Sequence, residues 1–291
     1  MIPYKKILIP TDGRSDAQGA IVFALTLGKI TGAEVTAICV NDVSNYAIPW
    51  NTSSPDLNEP HYQACEKAVK TVADRGELMG INVRTEIVTG IPLQEIIKAS
   101  KKYDLMVMGT AGRAGVSLML LGSVAQKVIR FASCPVLVIR GDQQGGPACN
   151  RILIPTDGTA ITRPAIMHGL EMARTFNAEV TALSVSSGRS IPIPLHRNVT
   201  QFTPDAARNA VDSVVDMGRE LGIKVNPTVT MGSVANEIIL ASAGQDLLVM
   251  GTNGRTGYEY LRLGSVAEKT VRHARCPVLV VRKPETMPPE I

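Results

Sequence analysis

Ile7-Leu8-Ile9-Pro10-Thr11-Asp12-Gly13 occurs twice in this chain, returning unchanged as Ile152-Leu153-Ile154-Pro155-Thr156-Asp157-Gly158. Each copy is a short apolar run that ends at a proline and then at Thr-Asp-Gly, the pattern of a strand feeding a turn. The repetition continues outward from there. Ala33–Ala37 returns at Ala178–Ala182, Asp104–Thr110 at Asp246–Thr252, Leu121–Ala125 at Leu263–Ala267, and Cys134–Val138 at Cys276–Val280. Because the blocks keep their order, a whole domain has been duplicated, rather than a short solenoid repeat. The expected organisation is one domain over residues 1–141, a Gly- and Pro-containing linker at 142–149, a second domain over 150–284 and a flexible tail at 285–291.

Within each copy, short apolar runs alternate with longer stretches of helical spacing. Lys6–Pro10, Glu34–Val40, Val83–Val88, Leu105–Met108 and Val136–Ile139 are continuously apolar rather than alternating, as in strands covered on both faces. Helical spacing falls near residues 15–31, 61–79, 92–102 and 123–132. The pattern β-α-β-α-β-α-β-α-β predicts an α/β fold: two tandem doubly wound parallel sheets, five strands each, with helices on both faces.

Composition narrows the classes. The 291 residues are 45% hydrophobic, 19% charged and only 4% aromatic, which calls for aliphatic cores in a globular protein. The net charge of +4 is spread without a basic stripe, so no nucleic-acid partner is expected. No run reaches the roughly 18–20 apolar residues of a membrane span. Ile7-Leu8-Ile9 is too short for a signal-peptide core, so the expected location is cytoplasmic. The five cysteines include no CxxC pair and are read as buried or incidental thiols of a reducing compartment, neither a disulfide framework nor a zinc site. The four histidines share no repeated position, which argues against a histidine mechanism common to both copies.

The segment that carries chemistry follows the fourth strand. Gly109-Thr-Ala-Gly112, nine residues and then Gly122-Ser123 are matched by Gly251-Thr-Asn-Gly254, nine residues and then Gly264-Ser265. The nine-residue spacer changes its composition between the copies and keeps its length. Glycines there let backbone N–H groups approach a ligand without a Cβ in the way. A helix opened by Gly-Ser presents unpaired N–H groups and a positive dipole end to an anion. Ser123-Val-Ala-Gln126 and Ser265-Val-Ala-Glu268 also have capping-box spacing, so the serines are candidates for capping, for phosphate binding or for both. Arg113 and Arg255 follow the second glycine and are either phosphate ligands or solvated surface residues. Glu95 and Glu237 are read as structural helix residues.

With these motifs the chain resembles the ATP-binding branch of the universal stress protein family, in its tandem form, over nearly the whole of both copies. That branch carries G-x2-G-x9-G-[S/T], which Gly109, Gly112, Gly122 and Ser123 match, as do Gly251, Gly254, Gly264 and Ser265. The resemblance implies strand order 3-2-1-4-5 and ATP, ADP or AMP as ligand, with Mg²⁺ or Mn²⁺ accompanying the nucleotide. It implies that Pro10, Thr11, Asp12, Val40 and Met108 line one site with Val124 beside the serine; Pro155, Thr156, Asp157, Val185, Met250 and Val266 do so in the other. In a doubly wound sheet the ligand crevice falls where the crossovers diverge, between the first and fourth strands. Asp12 leaves the first strand there, either to meet the adenosine or a metal's water shell or to cap its own turn.

The function expected is that of an ATP-binding stress-response regulator with negligible turnover. No GxxxxGK[ST] loop is present. Slow hydrolysis, self-phosphorylation on Ser123 or Ser265, and a scaffold with seldom-filled sites are the alternatives. The apolar last strands, Val136–Ile139 and Val278–Val281, are expected to pair as an internal pseudo-dimer. The apolar spacer at Leu118 and Met119 raises the further possibility of a homodimer.

Overall fold

A computed structural model of the chain describes residues 4–14, 17–44, 59–109, 121–140, 149–186, 204–252 and 263–282. The chain divides into two compact units, Pro3–Pro147 and Ala148–Ile291. In the first, β1 (Lys6–Pro10), α1 (Gln18–Thr31), β2 (Glu34–Asp42), α2 (Glu59–Leu78) and β3 (Val83–Gly90) are followed by α3 (Pro92–Ser100), β4 (Leu105–Gly109), α4 (Ser123–Phe131) and β5 (Val136–Ile139). The second repeats the order as β6 (Arg151–Pro155), α5 (Arg163–Phe176), β7 (Glu179–Ser186), α6 (Pro204–Glu220) and β8 (Val225–Met231). It closes with α7 (Val234–Ala241), β9 (Leu247–Gly251), α8 (Ser265–His273) and β10 (Val278–Val281).

Within each unit the strand pairings are parallel, in the order β3-β2-β1-β4-β5 and β8-β7-β6-β9-β10, the arrangement that the resemblance implied. The continuous apolar runs explain the burial. Ile7, Leu8 and Ile9 are at most 1% exposed, as are Ile152, Leu153 and Ile154, because helices cover both faces of the central strands. Each such side chain contributes roughly 1.5–3 kcal/mol by leaving water. Right-handed crossovers place α1 and α2 on one face and α3 and α4 on the other, where α3 packs on α4. Pro227 lies in β8, at the end of its unit's strand order, where a missing N–H is tolerated.

Local chemistry sets the ends of the elements. Helix α1 stops at Gly32 (φ 70°), and the matching position after α5 is Asn177 (φ 52°), the non-glycine residue that best accepts the left-handed region. The repeated Asp104 accepts hydrogen bonds from the backbone N–H groups of Lys5 and Lys6, both at 2.9 Å. Asp246 does the same for Asn150 and Arg151. These carboxylates, repeated between the two copies, therefore clasp the entry to β1 and β6, at the end of each unit's strands away from the glycine loop.

One expectation is corrected here. Cys39 of β2 and Cys65 of α2 are joined by a disulfide across 26 residues of sequence, with their Cα atoms 5.3 Å apart. The two residues belong to elements that pack on each other, so a pairing invisible as a sequence spacing becomes available in the fold. Cys134, Cys149 and Cys276 are buried and outside any disulfide, as expected. Burial pushes the Cys134 and Cys149 thiols up to about 12, which keeps them protonated and unreactive.

Candidate functional site

The candidate site lies at the C-terminal ends of β1, β2 and β4, and of β6, β7 and β9 in the second unit. Leu8 pairs with Met106 and Pro10 with Ile38. Continuing two residues along the first pairing puts Met108 level with Pro10, so Thr11, Asp12 and Gly109 emerge side by side. Thr11 donates its N–H to the Ile38 carbonyl at 2.9 Å, and Thr156 donates to Leu183 at 2.8 Å, which carries each sheet one residue past the proline. The Thr11 hydroxyl then accepts the Gly13 N–H at 3.2 Å, as Thr156 does for Gly158 at 3.1 Å. Gly13 (φ 79°) and Gly158 (φ 75°) turn through the left-handed region, and a Cβ on either would stand 3.1 or 3.0 Å from Ala68 or Ala210. The Thr-Asp-Gly turn is thus seated directly on α2 or α6.

Both aspartates make contacts within their own turns. Asp12 accepts the Arg14 N–H at 3.2 Å and pairs with the Arg14 guanidinium at 3.3 Å, while remaining well exposed. Asp157 accepts the backbone and hydroxyl of Thr159 at 3.0 and 2.7 Å. Both carboxylates brace their turns at the C-terminal ends of β1 and β6. Val185, Met108 and Met250 are buried, and Val40 is half-buried, so the crevice wall is apolar.

At the other wall, α4 begins at Ser123 with Gly122 as its N-cap (φ −59°, ψ 150°) and no side-chain cap. The first intrahelical bond is Gln126 N–H to Gly122 C=O at 2.9 Å. Three N–H groups, those of Ser123, Val124 and Ala125, therefore have no intrahelical acceptor. Helix α8 repeats this, with Gly264 as the cap and Glu268 making the first bond at 2.9 Å. The capping-box expectation is corrected: glycine occupies the cap position, which moves each serine to the first helical residue, where it is exposed and makes no cap bond. In the second unit the Gly264 N–H donates to the Thr252 carbonyl at 2.8 Å, so the strand end and the helix start meet. Gly112, Arg113, Gly254, Arg255, Leu118 and Met119 lie outside the described residues.

Sequence reasoning missed one residue. Asn41, 2% exposed near the end of β2, donates to the Thr89 hydroxyl at 3.4 Å, while its Oδ1 has no partner among the described residues. An amide at the end of the apolar run Ile38-Cys39-Val40 was the available signal. No group of three or more His, Cys, Asp or Glu side chains suited to a metal occurs among the described residues. No described helix is long and apolar enough to cross a membrane.

The folds define a tandem doubly wound α/β protein, in which the strand order of each unit reverses beside its first and fourth strands. The chain belongs to the universal stress protein family, whose model matches residues 3–140 and again 149–282. It is 42% identical over 140 residues to universal stress protein MJ0531 of Methanocaldococcus jannaschii, covering 47% of this chain and 82% of that one. A universal stress protein of Mycolicibacterium smegmatis is 27% identical over 283 residues, covering 95% of this chain and 96% of its own. The crystal structure of a universal stress protein from Archaeoglobus fulgidus superposes with a TM-score of 0.74 at 22% identity, over 97% of both chains.

Proposed function

We propose that this chain is an ATP-binding stress-response regulator in which each unit holds one adenine nucleotide and turnover is negligible. The observation that carries the reading is the start of α4 and α8: three N–H groups without intrahelical acceptors behind a glycine cap, repeated after the fourth strand of each unit. Such an end stabilises phosphate oxygens through hydrogen bonds and the helix dipole together. Gly109, Gly112, Gly122 and Ser123 would wrap the phosphates of one nucleotide, with Arg113 reaching their outer oxygens; Gly251, Gly254, Gly264, Ser265 and Arg255 would act likewise on the other. Val124 and Val266 supply main-chain N–H groups beside the serines. Pro10, Thr11, Asp12, Val40 and Met108 would face the adenosine, as would Pro155, Thr156, Asp157, Val185 and Met250. Mg²⁺ or Mn²⁺ would ride on the phosphate oxygens, in keeping with the sparse carboxylates of the site.

Calorimetric titration of nucleotide-stripped protein with ATP and Mg²⁺ tests this. Saturable heat that disappears in the Gly112→Val, Gly254→Val double variant, with the far-UV circular dichroism unchanged, is the expected result. Absence of saturable heat in the parent chain refutes the reading. Label transfer to Ser123 or Ser265 from γ-labelled ATP would replace the switch by a slow self-phosphorylating protein.

A further inference from the structure

The two units hold their Thr-Asp-Gly turns by different chemistry, and only one of those devices can be undone by a reductant. Cys39 is the sixth residue of β2, and the sixth residue of β7 is Ser184. Cys65 precedes Ala68 by one helical turn, and Ala207 stands in the same relation to Ala210. Ala68 and Ala210 are the residues on which Gly13 and Gly158 rest. The disulfide of the first unit is therefore replaced, position for position, by a serine and an alanine. Ser184 does the tethering in its own way: its hydroxyl donates to the Thr156 carbonyl at 2.8 Å, immediately before Asp157. In the first unit the tether instead runs from Cys39 through the disulfide into α2, whose next turn carries Ala68 beneath Gly13.

We propose that Cys39 and Cys65 form a reversible dithiol–disulfide site that fixes the Asp12–Gly13 turn, and through it the nucleotide affinity, of the first unit alone. The affinity part rests on the nucleotide reading above; the control of the turn does not. The oxidant is a small-molecule disulfide such as glutathione disulfide. The thiolate of one cysteine attacks a sulfur of the oxidant and expels one glutathione thiolate, which gives a mixed disulfide. The second cysteine, as thiolate, attacks the protein sulfur of that mixed disulfide and expels the other. Two protein thiols and one glutathione disulfide become one protein disulfide and two glutathione thiols, a two-electron exchange. Both cysteines are 4% exposed, so exchange passes through local opening of α2. Cys65 lies in the second turn of that helix, close to its N-terminal end, where such opening needs the fewest bonds broken.

The experiment uses the full chain. It is equilibrated without denaturant across ratios of reduced to oxidised glutathione, then trapped by alkylation and read by peptide mass spectrometry. Amide hydrogen exchange and ATP titration are read on the same samples. The expected result is a single midpoint for the Cys39–Cys65 pair, faster exchange over residues 11–14 and α2 in the reduced form, and unchanged exchange over residues 156–159. One class of sites should weaken about fivefold or more on reduction while the other holds. The Cys39→Ser, Cys65→Ala double variant, which carries the second unit's own pair, should lose all redox dependence. A pair that stays fully oxidised, or fully reduced, in the folded chain at every ratio overturns the proposal. So does equal exchange over residues 11–14 in both forms, or one affinity at all ratios. If neither form binds ATP, the nucleotide reading falls, and thiol counts with exchange still decide the switch.

Discussion

At the scale of single residues, the positions where the copies differ are the most informative. His168 of α5 occupies the place that Phe23 holds in α1, and it is 8% exposed. Burial lowers its pKa from 6.5 to about 4, against the opposing pull of Glu171. The unfolded chain takes up the proton below about pH 6.5 and the folded unit only below about 4. Stability is therefore complete above pH 6.5, falls as the pH drops through that window, and levels off beneath it. The loss should reach roughly 3 kcal/mol. A pH series of urea melts should show it in the second unit and show it abolished by His168→Phe; an unchanged slope would refute this account. Residues of this kind were not legible in the sequence, because a lone histidine in a helical stretch gives no sign of its burial. The same is true of Cys39 and Cys65: an odd cysteine count without close pairs favours free thiols, and only packing brings α2 onto β2. In the chain-entropy model, closing a 26-residue loop contributes about 3.5 kcal/mol to the first unit.

At the scale of elements, the sequence was most legible where periodicity spoke with one voice. Lys6–Pro10 and Val136–Ile139 coincide with strands, and the helical stretches fall within a few residues of α1 to α4, because continuous apolar runs bounded by Gly and Pro leave little choice in an α/β protein. Helix starts were less legible. The serines have capping-box spacing, yet the glycine before each takes the extended cap conformation and shifts the helix by one residue. This separates two roles that the sequence left joined. A capping serine costs about 1 kcal/mol when replaced by alanine. Ser123→Ala and Ser265→Ala should instead leave the thermal midpoint nearly unchanged and weaken ATP binding. A stability loss of that size without any change in affinity would return the serines to a capping role.

At the scale of the whole molecule, the duplication was fully legible, since seven identical residues and several matched blocks recur in order. The glycine loops are repeated with it, and Gly112 and Gly254 lie outside the described residues. Each unit's strand order ends in a short apolar strand, β5 or β10. The proposal that these edges pair predicts that residues 1–141 made alone form a dimer. Sedimentation of that fragment at high concentration checks it, and a monomer throughout would refute it.

The parallel order also dictates when each unit can assemble. β1 has β4 as a neighbour, Leu8 against Met106, so the central strand waits for most of its unit before its second edge is filled. β5 nevertheless ends at Ile139, before β6 begins at Arg151. At about 5–20 residues per second on the ribosome, the stretch from Arg151 to β9 takes several seconds or more. The first sheet can close in that interval, while the second copy is still incomplete. Chains diluted from denaturant lack this head start, and in them the identical segments Ile7–Gly13 and Ile152–Gly158 compete for β2 and β7 from the outset. The order of synthesis thus guards a duplicated protein against exchanging strands with itself.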